Sequence, residues 1–221
     1  MTAIPLATDA ESVDSFPRAL FSQSSTFWFH LIKRALDISI AGLLTPLLLV
    51  ICALLYVLNP WFNPGGLFYV ATRMGRDCTA FKVIKFRSMT AADADTKRGA
   101  ECPLEHDRIT LGGRILRISR VDELPQILNV LRGEMSLIGP RPDDWEHGLY
   151  FLQTVPGYRL RHSVRPGISG LAQTEIGYVE GTSGTRAKVA ADLDYIAHPS
   201  LLRELWLIKQ TLSTVVGCRG A

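Results

Sequence analysis

Asp122 and Glu123 are adjacent acids just ahead of Pro125. The residue before a proline is biased away from helix, and proline itself is tolerated only in a helix's first turn, which predicts both carboxylates at a helix start. That position favours negative charge, keeps Asp122 ionised and, with a cation between, suits phosphate oxygens. Adjacent acids can then divide labour, one attacking and one holding a metal. They are equally the ordinary caps of a structural helix, so their meaning depends on their company. That company is basic: Lys85 and Arg87 in Lys-Phe-Arg-Ser-Met, Arg117, Arg141 between Pro140 and Pro142, and Arg165 in Arg-Pro-Gly-Ile-Ser-Gly. Arginine forks match phosphate oxygens, and flanking prolines stiffen the backbone that presents Arg141. Any one of these residues alone reads as a solvated surface cation. Together with the acids, and with the apolar segment described next, they point to phosphoryl chemistry on a lipid-borne phosphate.

Other chemistries are poorly served. His106, His147, His162 and His198 lack a metal-ligand spacing, and no nucleophile elbow or phosphate-binding loop occurs. His30 borders the apolar segment as an interfacial side chain. Cys52, Cys78, Cys102 and Cys218 form no C-x-x-C pair, which argues against a disulfide framework or zinc site. The net charge of +3 is too small to nominate nucleic acid as a partner.

The elements that must position these groups start from 221 residues, 47% apolar and 20% charged, enough for one substantial domain. Mean hydropathy is +0.14, carried unevenly: residues 38–58 form a run of 21 without a charge. A signal peptide would be shorter and closer to the N-terminus. Length alone fits a membrane-spanning helix. The flanks do not, because Lys33 and Arg34 precede the run and Arg73, Arg76, Lys82, Lys85 and Arg87 follow it, so both sides ask to be cytoplasmic. Pro46 should break or kink the helix after Thr45, leaving halves of about 12 and about 20 Å, each too short to cross. The Thr45 hydroxyl or Ser39 could serve the carbonyl freed near Gly42. A spanning helix with a proline kink and a re-entrant helix both remain open on these grounds.

The expected order is a flexible tail over residues 1–25, a membrane helix over 26–60, and a catalytic domain over 61–221. Within the domain, strands over 67–70 and 81–86 flank a turn at 75–77, a mobile loop covers 91–106, and helices cover 114–118 and 122–131, the latter stopped by Gly133. Turns follow at 165–167 and 181–184, then helices over 186–196 and 201–216. The last carries a stripe of Leu201, Leu205, Ile208, Leu212 and Val215, expected to pack on the core or else to lie in the membrane plane.

Six motifs in order, over residues 31 to 216, resemble the bacterial sugar transferase family, the monotopic polyprenyl-phosphate phosphoglycosyl transferases. They are Lys33-Arg34-Ala35-Leu36-Asp37 leading into the proline-broken helix, Lys85 to Met89, Asp107 to Thr110, Val121 to Gln126, Met135 to Pro142, and Arg165 to Gly170. The resemblance implies an α+β, mostly helical, membrane-attached single domain with short strands, interfacial amphipathic helices and a re-entrant N-terminal helix broken at Thr45-Pro46. It implies transfer of a sugar 1-phosphate from a UDP-sugar to undecaprenyl or another polyprenyl phosphate, releasing UMP, at the cytoplasmic face of the bacterial inner membrane. This is the first membrane step of exopolysaccharide, O-antigen or glycoprotein glycan assembly. Asp122 would be the nucleophile that carries a covalent phosphosugar, and Glu123 would join it in holding Mg²⁺. Lys85, Arg87, Arg117, Arg141 and Arg165 would contact phosphate or nucleotide. Membrane lipids are expected partners, nucleic acid is not, and a homo-oligomer stays open. The sequence departs from the family at Ile118-Ser119-Arg120-Val121, where many members carry Lys-Thr-Ser-Leu. Residues 174–194 are expected to tune acceptance of the sugar, and the Arg-Gly-Ala terminus hints at a hexose. A catalytically silent scaffold of the same fold is the alternative.

Overall fold

The computed structural model describes residues 23–63, 65–90, 108–177 and 181–217. The expected tail and the loop over 91–106, with Asp107, Cys102 and Cys218, fall largely or wholly outside them. The chain is mostly helical. The first helix, α1 (Gln23–Phe62), contains both Pro46 and Pro60 and is continuous through Thr45-Pro46 rather than divided there. Thr45 Oγ1 donates to the Ala41 carbonyl at 2.9 Å, one residue from the carbonyl that Pro46 frees. Gly42 lies on the exposed side of the helix.

One stripe of α1 is bound to the domain along its length. Lys33 Nζ reaches Glu204 at 2.6 Å and the Ile138 carbonyl at 3.0 Å, and Asp37 accepts from Ser136 Oγ and Leu137 N. Ala41 and Leu48 enter the core. At the far end Asn59 donates to the Gly65 carbonyl at 3.0 Å, Asn63 donates to the Arg87 carbonyl, and Thr110 Oγ1 donates to Asn63 Oδ1. The opposite stripe is apolar and exposed, including Leu43, Leu47, Val50, Leu54, Val57 and Trp61.

Two strands form an antiparallel hairpin, β1 (Phe68–Met74) and β2 (Ala80–Phe86), with Phe68 opposite Phe86 and Met74 opposite Ala80. Both outrun the expected limits because turn signals mark only the hairpin tip, where Asp77 adopts φ 55°. Next come α2 (Leu111–Ile118), a 3-10 helix at Val121–Gln126 and α3 (Ile127–Arg132). The single helix expected over 122–131 is therefore two: Pro125 has no amide hydrogen and lies in the 3-10 segment. Gly133 ends α3 at φ 85°, as expected.

The segment β3 (Ser136–Ile138) pairs in parallel with β4 (Gly167–Ser169), and α4 (Trp145–Thr154) and a 3-10 helix at Tyr158–Ser163 lie between them in sequence. The expected turn at 165–167 thus leads into a strand. A Cβ on Gly167 would lie 2.2 Å from Gly139 N, so only glycine permits this approach. The remaining helices are α5 (Leu171–Glu175), α6 (Gly181–Ala197) and α7 (Leu201–Val216). The expected turn at 181–184 is instead the first turn of α6, where Thr185 Oγ1 bonds the Gly181 carbonyl at 2.9 Å. In α7 the stripe also needs correcting. Glu204 and Leu207 are buried, whereas Leu205 and Leu212 are exposed, because the helix buries an ion pair with Lys33 on the side that meets α1.

Among the described residues, three apolar clusters hold the domain. The largest joins α1, the hairpin, α3 and Met135, and it backs the segment that carries Asp122. Met74, Phe151, Val155, Tyr158 and Val189 form the second, and Ile138, Leu171, Tyr195 and Leu207 the third.

Candidate active site

The Thr110 side chain caps α2 by accepting from Gly113 N at 2.9 Å, and Ser119 Oγ closes its far end on the Ile115 carbonyl at 2.8 Å. Arg120 then turns the chain in the left-handed region, φ 55°, which side chains disfavour. That reversal starts the 3-10 helix with Asp122 and Glu123 in its first turn, both buried, at 9% and 7% exposure.

The two acids have different surroundings. Glu123 Oε1 accepts from Lys85 Nζ at 2.8 Å and Arg141 Nη2 at 2.6 Å, and Arg120 Nη1 stands 3.7 Å from Oε2. Burial alone would raise this carboxyl's pKa, but Arg141 and Lys85 overcome it and hold Glu123 well below the usual carboxylate range. Burial also pulls the Lys85 ammonium down, against the pull of Glu123. Asp122 receives no hydrogen bond from the described residues. Burial, then the neighbouring Glu123 charge, pushes its pKa up to about 6, with Lys85, Arg117 and Arg141 opposing. At neutral pH it is an ionised, poorly solvated, unclamped carboxylate, the state a nucleophile needs.

Each cation arrives on a positioned element. Phe81, Val83 and Lys85 share one face of β2, which packs on the 3-10 segment. Fully buried Asn129 fixes that strand: its Oδ1 accepts from Ile84 N at 3.1 Å, and its Nδ2 donates to the Lys82 carbonyl and to Glu134. Arg117, on the last turn of α2, places Nη1 3.5 Å from Met89 Sδ and acts electrostatically on Asp122. Arg141 lies on the loop that leaves β3. Beneath that loop, Arg161 Nη2 donates to the Arg141 carbonyl at 2.9 Å while its guanidinium also binds Asp143 and Asp192. Arg161, Asp143, Asp192 and Asn129 escaped the sequence reading, since none sits in a chemically suggestive spacing. The available signal was Asp143 directly after the Pro-Arg-Pro motif.

The structure brings Lys85, Arg141, Asp122 and Glu123 together, with Arg117 acting on Asp122 and Arg120 beside Glu123. Arg87 instead donates from Nε to the Gly66 carbonyl at 2.9 Å, at the α1–β1 connection. Arg165 donates from Nε to the Gly133 carbonyl at 2.8 Å and lines a different cavity.

The oxygens left for a divalent cation are those of Asp122 and Oε2 of Glu123, which faces Arg120 at 3.7 Å, because Oε1 already serves Lys85 and Arg141. No group of three His, Cys, Asp or Glu gathers among the described residues. Such an ion would depend on phosphate and water for the rest of its shell, which is the usual habit of Mg²⁺.

Residues 28–218 match the model of a family described as bacterial sugar transferase. Among relatives, a UDP-glucose:undecaprenyl-phosphate glucose-1-phosphate transferase of Caulobacter vibrioides is 41% identical over 83% of this chain and 69% of its own length. A UDP-N-acetylgalactosamine-undecaprenyl-phosphate N-acetylgalactosaminephosphotransferase of Aeromonas hydrophila is 38% identical, over 87% of this chain and 45% of its own. An exopolysaccharide production protein, PSS, of Rhizobium leguminosarum bv. phaseoli is 40% identical over 82% of this chain and 93% of its own.

Proposed function

The chain is a transferase of the bacterial sugar transferase family, and from that premise we propose that it moves a sugar 1-phosphate from a UDP-sugar to undecaprenyl or another polyprenyl phosphate. An oxygen of Asp122 attacks the phosphorus next to the sugar, the bond to UMP breaks, and UMP leaves. The acceptor's phosphate oxygen then attacks the same phosphorus, breaking its bond to Asp122 and leaving a polyprenyl-diphosphate sugar. Both steps bring anions together, and Lys85, Arg117, Arg120 and Arg141 offset that repulsion. Mg²⁺, held through Asp122 and Glu123, would supply further neutralisation of the diphosphate.

The observation that carries this reading is the difference between the neighbours: Glu123 is clamped by cations, while buried Asp122 has a raised pKa and no hydrogen-bond donor among the described residues. The sugar is a separate matter, because the relatives at 41% and 38% identity are named for different sugars. A panel of UDP-glucose, UDP-galactose and UDP-N-acetylgalactosamine with Mg²⁺ and polyprenyl phosphate should release UMP with at least one donor. Turnover with none, by folded protein, would favour the silent scaffold.

The same reading makes the protein monotopic, on the cytoplasmic face of the inner membrane. Phe27–Phe62 is long and apolar enough to cross a bilayer. Yet Lys33 and Asp37 near one end of α1, and Asn59 and Asn63 near the other, bind one and the same polar domain. A crossing would drag that domain's charges into a hydrocarbon layer about 30 Å thick. A helix lying on the domain, its exposed apolar stripe sunk into one leaflet, avoids this. Leu111 and Ile115 of α2 and Leu202, Leu205 and Leu212 of α7 add exposed apolar surface suited to the same interface. Membrane-impermeant labelling from the cytoplasmic side should reach cysteines placed at residues 20 and 90 alike; opposite-sided labelling would sink this topology.

A further inference from the structure

A cavity of about 400 Å³ lies between residues 29–37 of α1 and the domain, and Asp122, Glu123, Lys85 and Arg141 take no part in its walls. Its lining brings together Lys33, Arg34, Arg76 and Arg165 with one carboxylate, Asp37, and the exposed Ser163. The charges do not cancel. Asp37 is occupied by Ser136 Oγ at 2.8 Å and Leu137 N at 3.0 Å, and Lys33 alone has a buried acid of its own, Glu204. Arg34 and Arg165 each make one described bond, to the Leu131 and Gly133 carbonyls at the end of α3, although a guanidinium carries five donors. Arg34 Nη1 is shielded from solvent and has no partner among the described residues. Burial, then the nearby Arg34 and Arg76 charges, lowers the proton affinity of Arg165.

Two arginines on helix-end carbonyls are an ordinary way to satisfy a helix C-terminus. Arg161 shows what a purely structural buried arginine looks like in this fold, with two carboxylates and a carbonyl around it. Arg34 and Arg165 make no described ion pair, the Asp37 carboxylate in the same wall being held by Ser136 and Leu137, and they line a space large enough for a tetrahedral anion. Partly exposed cations grouped around a single carboxylate that is already hydrogen-bonded repel one another, and an anion joining them would relieve that repulsion.

We propose that this cavity is a phosphate-binding site separate from the Asp122–Glu123 pair, with Arg34, Arg76 and Arg165 as its ligands. The phosphate belongs either to the headgroup of an anionic lipid, reached from the leaflet along α1, or to a soluble phosphate ester. The inference does not depend on the transferase chemistry, so its test measures binding without turnover.

The test uses the full chain in Arg141→Gln background, which weakens phosphate binding at the dyad. Calorimetric titration with inorganic phosphate in uncharged detergent should find one saturable site, weakened about tenfold or more by Arg34→Gln. Two milder variants guard against misfolding. Arg76→Gln removes a half-exposed side chain paired with neighbouring Asp77, and Ser163→Glu puts a carboxylate in the wall without breaking a described hydrogen bond. In parallel, flotation compares phosphatidylcholine vesicles with vesicles containing phosphatidylglycerol. Loss of the phosphatidylglycerol-dependent increment in Arg76→Gln and Ser163→Glu, with phosphatidylcholine binding intact, identifies a lipid headgroup. Weakened phosphate titration with an unchanged increment identifies a soluble phosphate. If neither variant alters either measurement, the proposal is wrong.

Discussion

Glu123 and Arg161 sit at the centres of two charged clusters with opposite stoichiometry. At Glu123 one carboxylate is shared by Lys85, Arg141 and, more distantly, Arg120, so among the described residues the cations outnumber the acid they pair with. At Arg161 one guanidinium is shared by Asp143 and Asp192, with Tyr158 Oη adding a bond to Asp143 at 2.7 Å. Cations grouped in this way suit a site that receives anions. The second is closed: its guanidinium has carboxylates and a carbonyl on all three nitrogens. It touches the first through the Arg141 carbonyl, so a structural cluster holds the backbone from which a chemical one is presented. The lesson is that burial of charge alone does not mark a site. The sign of the imbalance, and the presence of an unclamped group beside it, do.

The comparison breaks first at Asp122. Asp122→Asn removes the attacking oxygen and should lower UMP release by about 10⁴-fold or more, with no phosphosugar adduct on the protein. It should also make the fold more stable at pH 7, by about 2 kcal/mol, because an ionised buried carboxylate with a raised pKa burdens the native state. A mutant that is inactive and less stable, or an adduct trapped elsewhere, would overturn the assignment. Arg161→Met should do the reverse. It strands Asp143 and Asp192, and chemical denaturation should show a loss of about 3–5 kcal/mol. Arg161→Lys should recover part of that stability but less of the activity, since an ammonium cannot serve both acids and the Arg141 carbonyl with the same geometry.

The first cluster was legible from sequence because its parts are local or carry turn chemistry. Asp122, Glu123 and Pro125 are neighbours, Lys85 lies in an apolar strand and Arg141 is framed by prolines. The second was invisible. Arg161 and Asp192 are 31 residues apart on different helices, and each alone reads as a surface charge. The same limit explains α7. Helical period locates an apolar stripe, but this helix has apolar residues on more than one side, and the Lys33–Glu204 pair decides which side faces inward. It also explains Arg165. Its motif implies a contact with phosphate or nucleotide but not where in the fold it falls, and Gly167 and Gly170, pressed against Gly139, carry the arginine to the end of α3. At Pro46 the sequence locates a lost hydrogen bond, and helical hydrogen bonding continues on both sides of it while Ala41 and Leu48 pack into the core.

Smaller effects sharpen the contrast within the first cluster. Glu123→Gln should lower turnover by about 10²-fold through disordered Lys85 and Arg141, while changing stability less than Arg161→Met does. Its more telling effect is on pH. Asp122 must be ionised to attack, so kcat/KM should rise with pH through an acid limb near 6. The sign follows from its two kinds of neighbour. The folded chain binds this proton more tightly than the unfolded chain, so the stability contribution of Asp122 is most favourable below about pH 4 and declines as pH rises through about 6. Removing the Glu123 charge withdraws a repulsion and should move the limb down by about one pH unit; Lys85→Met withdraws an attraction and should move it up by a similar amount. A limb set by unfolding or by product release would move the same way in both variants. Opposite shifts from substitutions on either side of one salt bridge would tie the pH profile to Asp122 itself.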